Sequence, residues 1–243
     1  MSAGLMMGQM LKSKEDKLTV QLLGDGPFKH AIITSNLAGT VRGYVSNPGV
    51  ELPLRKDGHL DVSRAIGNGS LTVIRDMGLK DPYVSSIDLT SGEIAEDLTY
   101  YFATSEQVPS AVGLGVLVDV DGSVKQAGGF IIQLMPFTPD EVVDALEKKI
   151  SEIASVTEML EEGNTPEQIL EIILGDFGLE ITDTLPAAFQ CDCSKERVSR
   201  AISTLSKKDL DDIINDGEAI EVKCQFCNKA YHFEVDELKE MRK

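Results

Sequence analysis

The sequence predicts an α+β fold in three parts. A mostly β N-terminal core with packed helices spans residues 1–136, a helical linker spans 137–188, and a small C-terminal module spans 189–243. Three observations carry this reading. Apolar residues alternate with period two from residue 17 to about 135. Short, capped helical patterns follow Pro136. All four cysteines lie after residue 190, in two close pairs.

In chain order, "KLTVQLL" places Leu18, Val20 and Leu22 on one strand face and breaks at "GDGP". "HAIITSN" and "GTVRGYVSN" form two strands joined through Leu37, Ala38 and Gly39, and "SLTVIRD" and "YVSSIDL" extend the sheet. Ile94, Leu98, Tyr101 and Phe102 recur at helical spacing in "SGEIAEDLTYYFATSEQ". "AVGLGVLVDVDGSVKQAGGFIIQLM" predicts a long hairpin turning at Asp121-Gly122.

After Pro136 the pattern changes. "TPDE" predicts a helix capped by Thr138, with Pro139 at its first position and Glu141 completing a capping box. Val142, Leu146, Ile150 and Ile153 mark its apolar face, and Gly163 is its expected stop. "TPEQ" repeats the device with Thr165 and Gln168, in a second helix ending at Gly175. Such short helices need tertiary packing to hold. Further on, Ser194 and Ser206 are expected to cap two helices, the second stopping at Gly217. "EAIEVKC" and "AYHFEV" form a hairpin with Cys-Gln-Phe-Cys at its tip, and "DELKEM" ends the chain in a helical turn.

Composition bounds the partners. Hydrophobic content of 42% is ordinary for a globular chain, while aromatics at 5% leave aliphatic residues to fill the core. The formal net charge of −17 opposes binding to phosphate backbones, so nucleic acid is not an expected partner. No stretch has the apolar length of a membrane span, and "MSAGLMMGQMLKSK" lacks signal-peptide organisation, so a cytoplasmic location is expected. Thiols there stay reduced, which points clustered cysteines toward metal binding or redox chemistry.

Cys191 and Cys193 form C-x-C, and Cys224 and Cys227 form C-x-x-C. Two ligand pairs, each from a tight turn, satisfy a tetrahedral thiolate site for one Zn2+ per chain in the reduced state. Free cysteine is often a buried small hydrophobe, but unrelated buried cysteines would not cluster in pairs. His232 is a rival ligand. C-x-x-C alone also suits a zinc ribbon, a metal chaperone or a thioredoxin-like redox pair. The last expects the pair at a helix start, whereas Cys224 and Cys227 fall between strands.

Other patterns carry little chemistry. "GLGVLV" lies within a strand with no helix opening after it, and "DVDG" suits a hairpin turn and lacks later calcium ligands. His30, His59 and His232 assemble no catalytic triad, and the acidic runs "EDL", "EEG" and "DLDD" are expected on solvated helix faces. No enzyme active site is predicted.

"CDCSKERVSRAI" followed by "CQFCNKAYHF" resembles the C-terminal zinc module of the 33 kDa chaperonin family, the redox-regulated heat-shock chaperones. "GDGP", "RGYVSNP", "GNGSLTV", "SGEIAEDLTYYFATSEQVPS" and "AGGFIIQLMP" extend the resemblance over nearly the whole chain. The family's usual first strand and helix have no counterpart before "SAGLMMG". The resemblance implies an ATP-independent holdase that binds unfolding proteins under oxidative stress and is not an enzyme. It implies a protein silent when reduced and zinc-bound, and activated by disulfide formation, zinc release and linker unfolding, with a homodimer as the oxidised form. Cys191 with Cys193, and Cys224 with Cys227, are the expected disulfides, each partner held close by sequence. The competing class is a constitutive zinc-stabilised domain that binds nucleic acid or protein.

Overall fold

A computed structural model describes residues 1–242 and divides the chain into two compact units, Met1–Ala188 and Phe189–Lys243. The helical segment 137–188 belongs to the first unit.

The first unit opens with α1 (Ser2–Gly8), which no apolar periodicity announces. Its glycines are the reason it can pack. A Cβ on Gly4 would lie 2.6 Å from Ile33 Cγ2, and one on Gly8 would lie 2.6 Å from Ser35 Oγ. The buried Ser35 hydroxyl donates to the Gly4 carbonyl at 2.5 Å, fixing the helix on the sheet.

Four strands follow, interrupted by one short helix: β1 (Lys17–Gly24), β2 (His30–Asn36), β3 (Thr40–Val45), α2 (Val62–Ile66) and β4 (Gly69–Asp76). β5 (Tyr83–Asp88) lies at one edge of a six-stranded sheet ordered β5-β4-β1-β2-β3-β8, in which β1 is central and β8 is the short strand Ala188–Phe189. Register puts Leu22 opposite Ala31 on one side and Leu71 on the other, and Val20 opposite Ile33 and Val73. Period-two alternation thus delivers one continuous apolar face. α3 (Ile94–Tyr101) adds Leu98 and Tyr101, and a π-helical segment, Phe102–Glu106, adds Phe102.

Asp97 corrects the expectation that "EDL" forms a solvated face. Its side chain is fully buried. The carboxylate accepts bonds from the N–H groups of Thr90, Ser91 and Gly92 and from the Thr90 hydroxyl, so it ties down the loop before α3. A buried carboxylate is tolerated here because hydrogen bonds replace its water.

β6 (Ser110–Val118) and β7 (Val124–Gln133) form the expected hairpin, closed by the Asp119 N–H to the Ser123 carbonyl at 2.8 Å. This hairpin serves two cores. Val112, Leu114 and Ile131 pack toward the sheet cluster, while Phe130 and Ile132 join a second cluster. That second cluster is built from α4 (Asp140–Glu152), α5 (Val156–Glu161) and α6 (Pro166–Leu174), with Leu146, Val156, Met159, Ile169 and Ile173 buried. Gly115 lets α5 approach: a Cβ there would lie 2.8 Å from Thr157 Cγ2.

The helix starts differ from expectation in two places. Thr138 does not cap α4. Its hydroxyl turns back to donate to the Met135 carbonyl at 2.7 Å, Phe137 is left-handed at φ 66°, and Pro139 is the N-cap residue without a side-chain bond. The predicted single helix to Gly163 is instead two helices. Ile153 is extended at ψ 154°, and Ser155 with Glu158 forms a capping box that starts α5. A local cap competes with helix continuation, and here it wins. The Thr165/Gln168 box on α6 is present as predicted, although the left-handed stop is Gly178 at φ 78°, after a short 3-10 turn from Gly175. β8 (Ala188–Phe189) completes the sheet beyond β3, with the Ala188 N–H donating to the Gly39 carbonyl at 3.0 Å.

In the second unit, α7 (Lys195–Ile202) and α8 (Lys207–Asn215) start at Ser194 and Ser206, whose side chains accept the Arg197 and Asp209 N–H groups. β9 (Ile220–Lys223) and β10 (Ala230–Phe233) pair antiparallel, and α9 (Val235–Met241) follows. Its buried apolar core is small: Ile202, Leu210, Tyr231, Phe233 and Leu238.

Candidate metal centre

Two backbone devices present the cysteines. Cys191 and Cys193 precede the Ser194 cap, so the chain is extended and turns sharply into α7. Cys224 and Cys227 sit at the β9–β10 tip. There the Cys224 N–H donates to the Lys229 carbonyl at 3.0 Å, the Asn228 N–H donates to the Cys224 carbonyl at 2.8 Å, and Asn228 is left-handed at φ 60°. Asparagine tolerates that conformation better than most residues, which allows so tight a turn.

The two arms converge. Cys191 Sγ lies 3.7 Å from Cys224 Sγ, and Cys193 Sγ lies 3.4 Å from Cys227 Sγ. All four sulfurs fall within 4.8 Å of one another, and all four residues are half-buried. A tetrahedron with metal–sulfur bonds of about 2.3 Å has edges of about 3.8 Å, so the donor set and its spacing fit a closed four-thiolate zinc site.

The thiols pull against one another. A hydrogen bond from the Tyr231 hydroxyl, at 3.1 Å, is the main influence lowering Cys193, to about 7. Burial raises Cys191. Cys227 gains a bond from the Lys229 backbone that favours its thiolate. Its partnership with Cys193, its burial and the other sulfurs outweigh that bond and push it up to about 12. At these separations one thiolate opposes the next, and a divalent cation is what allows all four to ionise together.

His232 does not join this cluster. Strand alternation turns Tyr231 and Phe233 inward and leaves the His232 side chain 67% exposed, 3.4 Å from Glu221. Sequence reasoning missed Tyr231. Its available signal was its inward position on β10, shared with Phe233, four residues after Cys227.

The chain's relatives match this architecture. The profile of the family described as Hsp33 protein matches residues 1–234. The chain belongs to the Hsp33 family. A 33 kDa chaperonin of Agathobacter rectalis is 70% identical over 242 residues, spanning 100% of this chain and 84% of the relative. Its counterpart in Lachnoclostridium phytofermentans is 54% identical over 241 residues, 99% of this chain and 82% of the relative. The crystal structure of the Thermotoga maritima 33 kDa chaperonin superposes with a TM-score of 0.89 at 43% identity, covering 99% of this chain and 82% of that one. An Hsp33 fold with a C-terminal four-cysteine cluster is thus established, and the cluster suits zinc and redox roles. No helix among the described residues is long and apolar enough to cross a membrane.

Proposed function

We propose that this chain is a redox-regulated, ATP-independent holdase of the cytoplasm that binds unfolding proteins and prevents their aggregation under oxidative stress. The observation that carries the proposal is the convergence of four sulfurs from two arms of a module with a five-residue buried core, in an Hsp33-family chain. When bound by Cys191, Cys193, Cys224 and Cys227, Zn2+ supplies a cross-link between those arms. Structural zinc contributes roughly 10–16 kcal/mol of apparent folding energy in small modules, more than so small a core offers.

Oxidation removes the cross-link at its source. Peroxide accepts two electrons as a pair of cysteines loses them: a sulfur–sulfur bond forms, the O–O bond breaks, and water carries off the oxygens. Sulfur in a disulfide no longer serves as a thiolate ligand, so the arms lose their common anchor. The linker, residues 137–188, then loosens and exposes the apolar faces of α4 and α6, led by Leu146, Ile169 and Ile173. Burial of client apolar surface at about 25 cal/mol per Å² drives capture, and the acidic charge keeps the complexes in solution. The oxidised form is a homodimer in this proposal, and no residue is catalytic.

The deciding experiment follows aggregation of a heat-denatured enzyme with reduced and with peroxide-treated protein, while thiols and released metal are titrated in parallel. Suppression confined to the oxidised sample supports the proposal. Equal suppression in both samples would instead favour a constitutive zinc-stabilised interaction domain, and tight retention of RNA on a filter at moderate salt would favour a nucleic-acid binder.

A further inference from the structure

Tyr231 stands on β10 opposite Val222, with its ring buried beside Ile202, Leu210, Phe233 and Leu238. The Lys229 ammonium lies over the ring, 5.4 Å from its centroid. Held on both sides, the phenol has little freedom, and its hydroxyl points across the module to donate to Cys193 Sγ at 3.1 Å. The bond therefore joins the hairpin arm to the opposite cysteine arm. Among the described residues, Cys193 is where a side-chain hydroxyl meets the cluster.

We propose that Tyr231 is a positioning residue of the redox centre, whose hydroxyl orients the Cys193 sulfur as a ligand and sets the oxidant level at which the cluster yields. The inference rests on reading the four cysteines as a metal–thiolate centre. A donor fixed on an anionic sulfur makes a charge-assisted bond, stronger than a neutral one, and draws charge density from the lone pairs. Oxidation begins when such a lone pair attacks a peroxide oxygen. The S–O bond forms, the O–O bond breaks, and the departing hydroxide takes a proton from solvent and leaves as water. A second cysteine thiolate then displaces the sulfenic oxygen, which takes another solvent proton and leaves as water, closing the disulfide. The Tyr231 bond stabilises the starting sulfur and must weaken as its lone pair is spent, so it slows the first step. Partners of this outer kind are worth about 10–100-fold in metal affinity.

Tyr231→Phe removes the oxygen and keeps the ring. With the full chain loaded with zinc, the variant should lose about 10–100-fold in zinc affinity in a chelator competition. Its thiols should react severalfold faster with peroxide. With cobalt in place of zinc, the thiolate-to-metal charge-transfer band should move to lower energy, because the unbonded sulfur gives up an electron more readily. Incorporating 3-fluorotyrosine at position 231, a stronger donor, should move both the rate and the band the other way. Phe233→Leu serves as the packing control: it should lower thermal stability and leave the band in place. An unmoved band and an unchanged peroxide rate in Tyr231→Phe would overturn the inference, as would a band shift of the same sign in the fluorotyrosine protein. Failure of the unsubstituted protein to show a sulfur–cobalt band would instead remove the metal-centre reading beneath it.

Discussion

Leu18, Val20, Leu22, Leu71 and Val73 interlock across the paired strands β1 and β4, and α3 closes over them with Leu98 and Tyr101. The cysteine module gathers only Ile202, Leu210, Tyr231, Phe233 and Leu238, around a hairpin of four-residue strands. The first region can stand on apolar burial alone, since every core strand is paired on both sides or covered by a helix. The second has too little apolar surface for that, and its arms meet at sulfur. Under the proposed function, one chain thus joins a unit whose stability does not depend on redox state to one whose stability does. The proposed switch needs both: a fixed platform and a part that can be lost.

The sharpest way to break this contrast is to remove the proposed zinc cross-link. Cys224→Ser, or chelation of the reduced protein, should cost the second unit most of the roughly 10–16 kcal/mol attributed to structural zinc. Hydrogen exchange should then show α7 to α9 losing protection while β1, β2 and β4 keep theirs. The variant should also suppress aggregation without oxidant. Retained protection across α7 to α9 would mean that the small core suffices and that the contrast is wrong.

A second test places the helical segment between these extremes. It shares Phe130 of β7 with the hairpin but has short helices and three separate starts. Peroxide treatment should strip protection from residues 138–185 and leave 111–134 protected, as expected where local stability follows packing depth. Equal protection in both redox states would reject the unfolding switch.

The same contrast explains what the sequence could disclose. The sheet and the β6–β7 hairpin were legible because alternation is enforced at every second residue when one face is buried. The cysteine cluster was legible because ligand chemistry allows few residue types, and Cys191, Cys193, Cys224 and Cys227 converge as their spacing implies. α1 was hidden because its packing depends on what Gly4 and Gly8 lack. Asp97 looks like any acidic helix residue, since its partners are backbone N–H groups that no side-chain pattern records. Ser155 was masked by an apolar period running through it, and Thr138 misled because a cap signature does not reveal a left-handed residue before it. Tyr231 matters for one oxygen atom, and strand alternation shows only that its ring faces inward.

Those two threonines allow a finer comparison within the linker. Thr165→Ala removes the oxygen that accepts the Gln168 N–H and should cost about 1 kcal/mol. Thr138→Ala removes a bond to Met135 in an exposed turn, and its effect should stay within about 0.5 kcal/mol. Urea titrations followed by the helical signal of the reduced protein would measure both. Equal losses would mean that Thr138 serves as a cap after all.

The smallest expected difference lies between the two disulfides themselves. In the folded module sulfur contacts cross between the arms, Cys191 to Cys224 at 3.7 Å and Cys193 to Cys227 at 3.4 Å. Proximity in that state therefore serves cross-arm pairs as well as Cys191–Cys193 and Cys224–Cys227. Their advantage arises once the module loosens. A neighbour within the same arm stays close by covalent connection, whereas a cross-arm bond must close a loop of about thirty residues, at an entropic cost that grows with loop length. Within that scheme the bonds should still differ. A bridge across C-x-C must bend a three-residue segment against preferred disulfide geometry, while C-x-x-C has one residue more to relax. Strain makes a disulfide more oxidising, so Cys191–Cys193 should be reduced first and Cys224–Cys227 should persist. Mass spectrometry of alkylated digests across a graded thioredoxin titration reads both claims. A dominant Cys193–Cys227 linkage would show that folded-state proximity governs pairing. Earlier reduction of Cys224–Cys227 would reverse the ranking and place the greater strain in the hairpin tip.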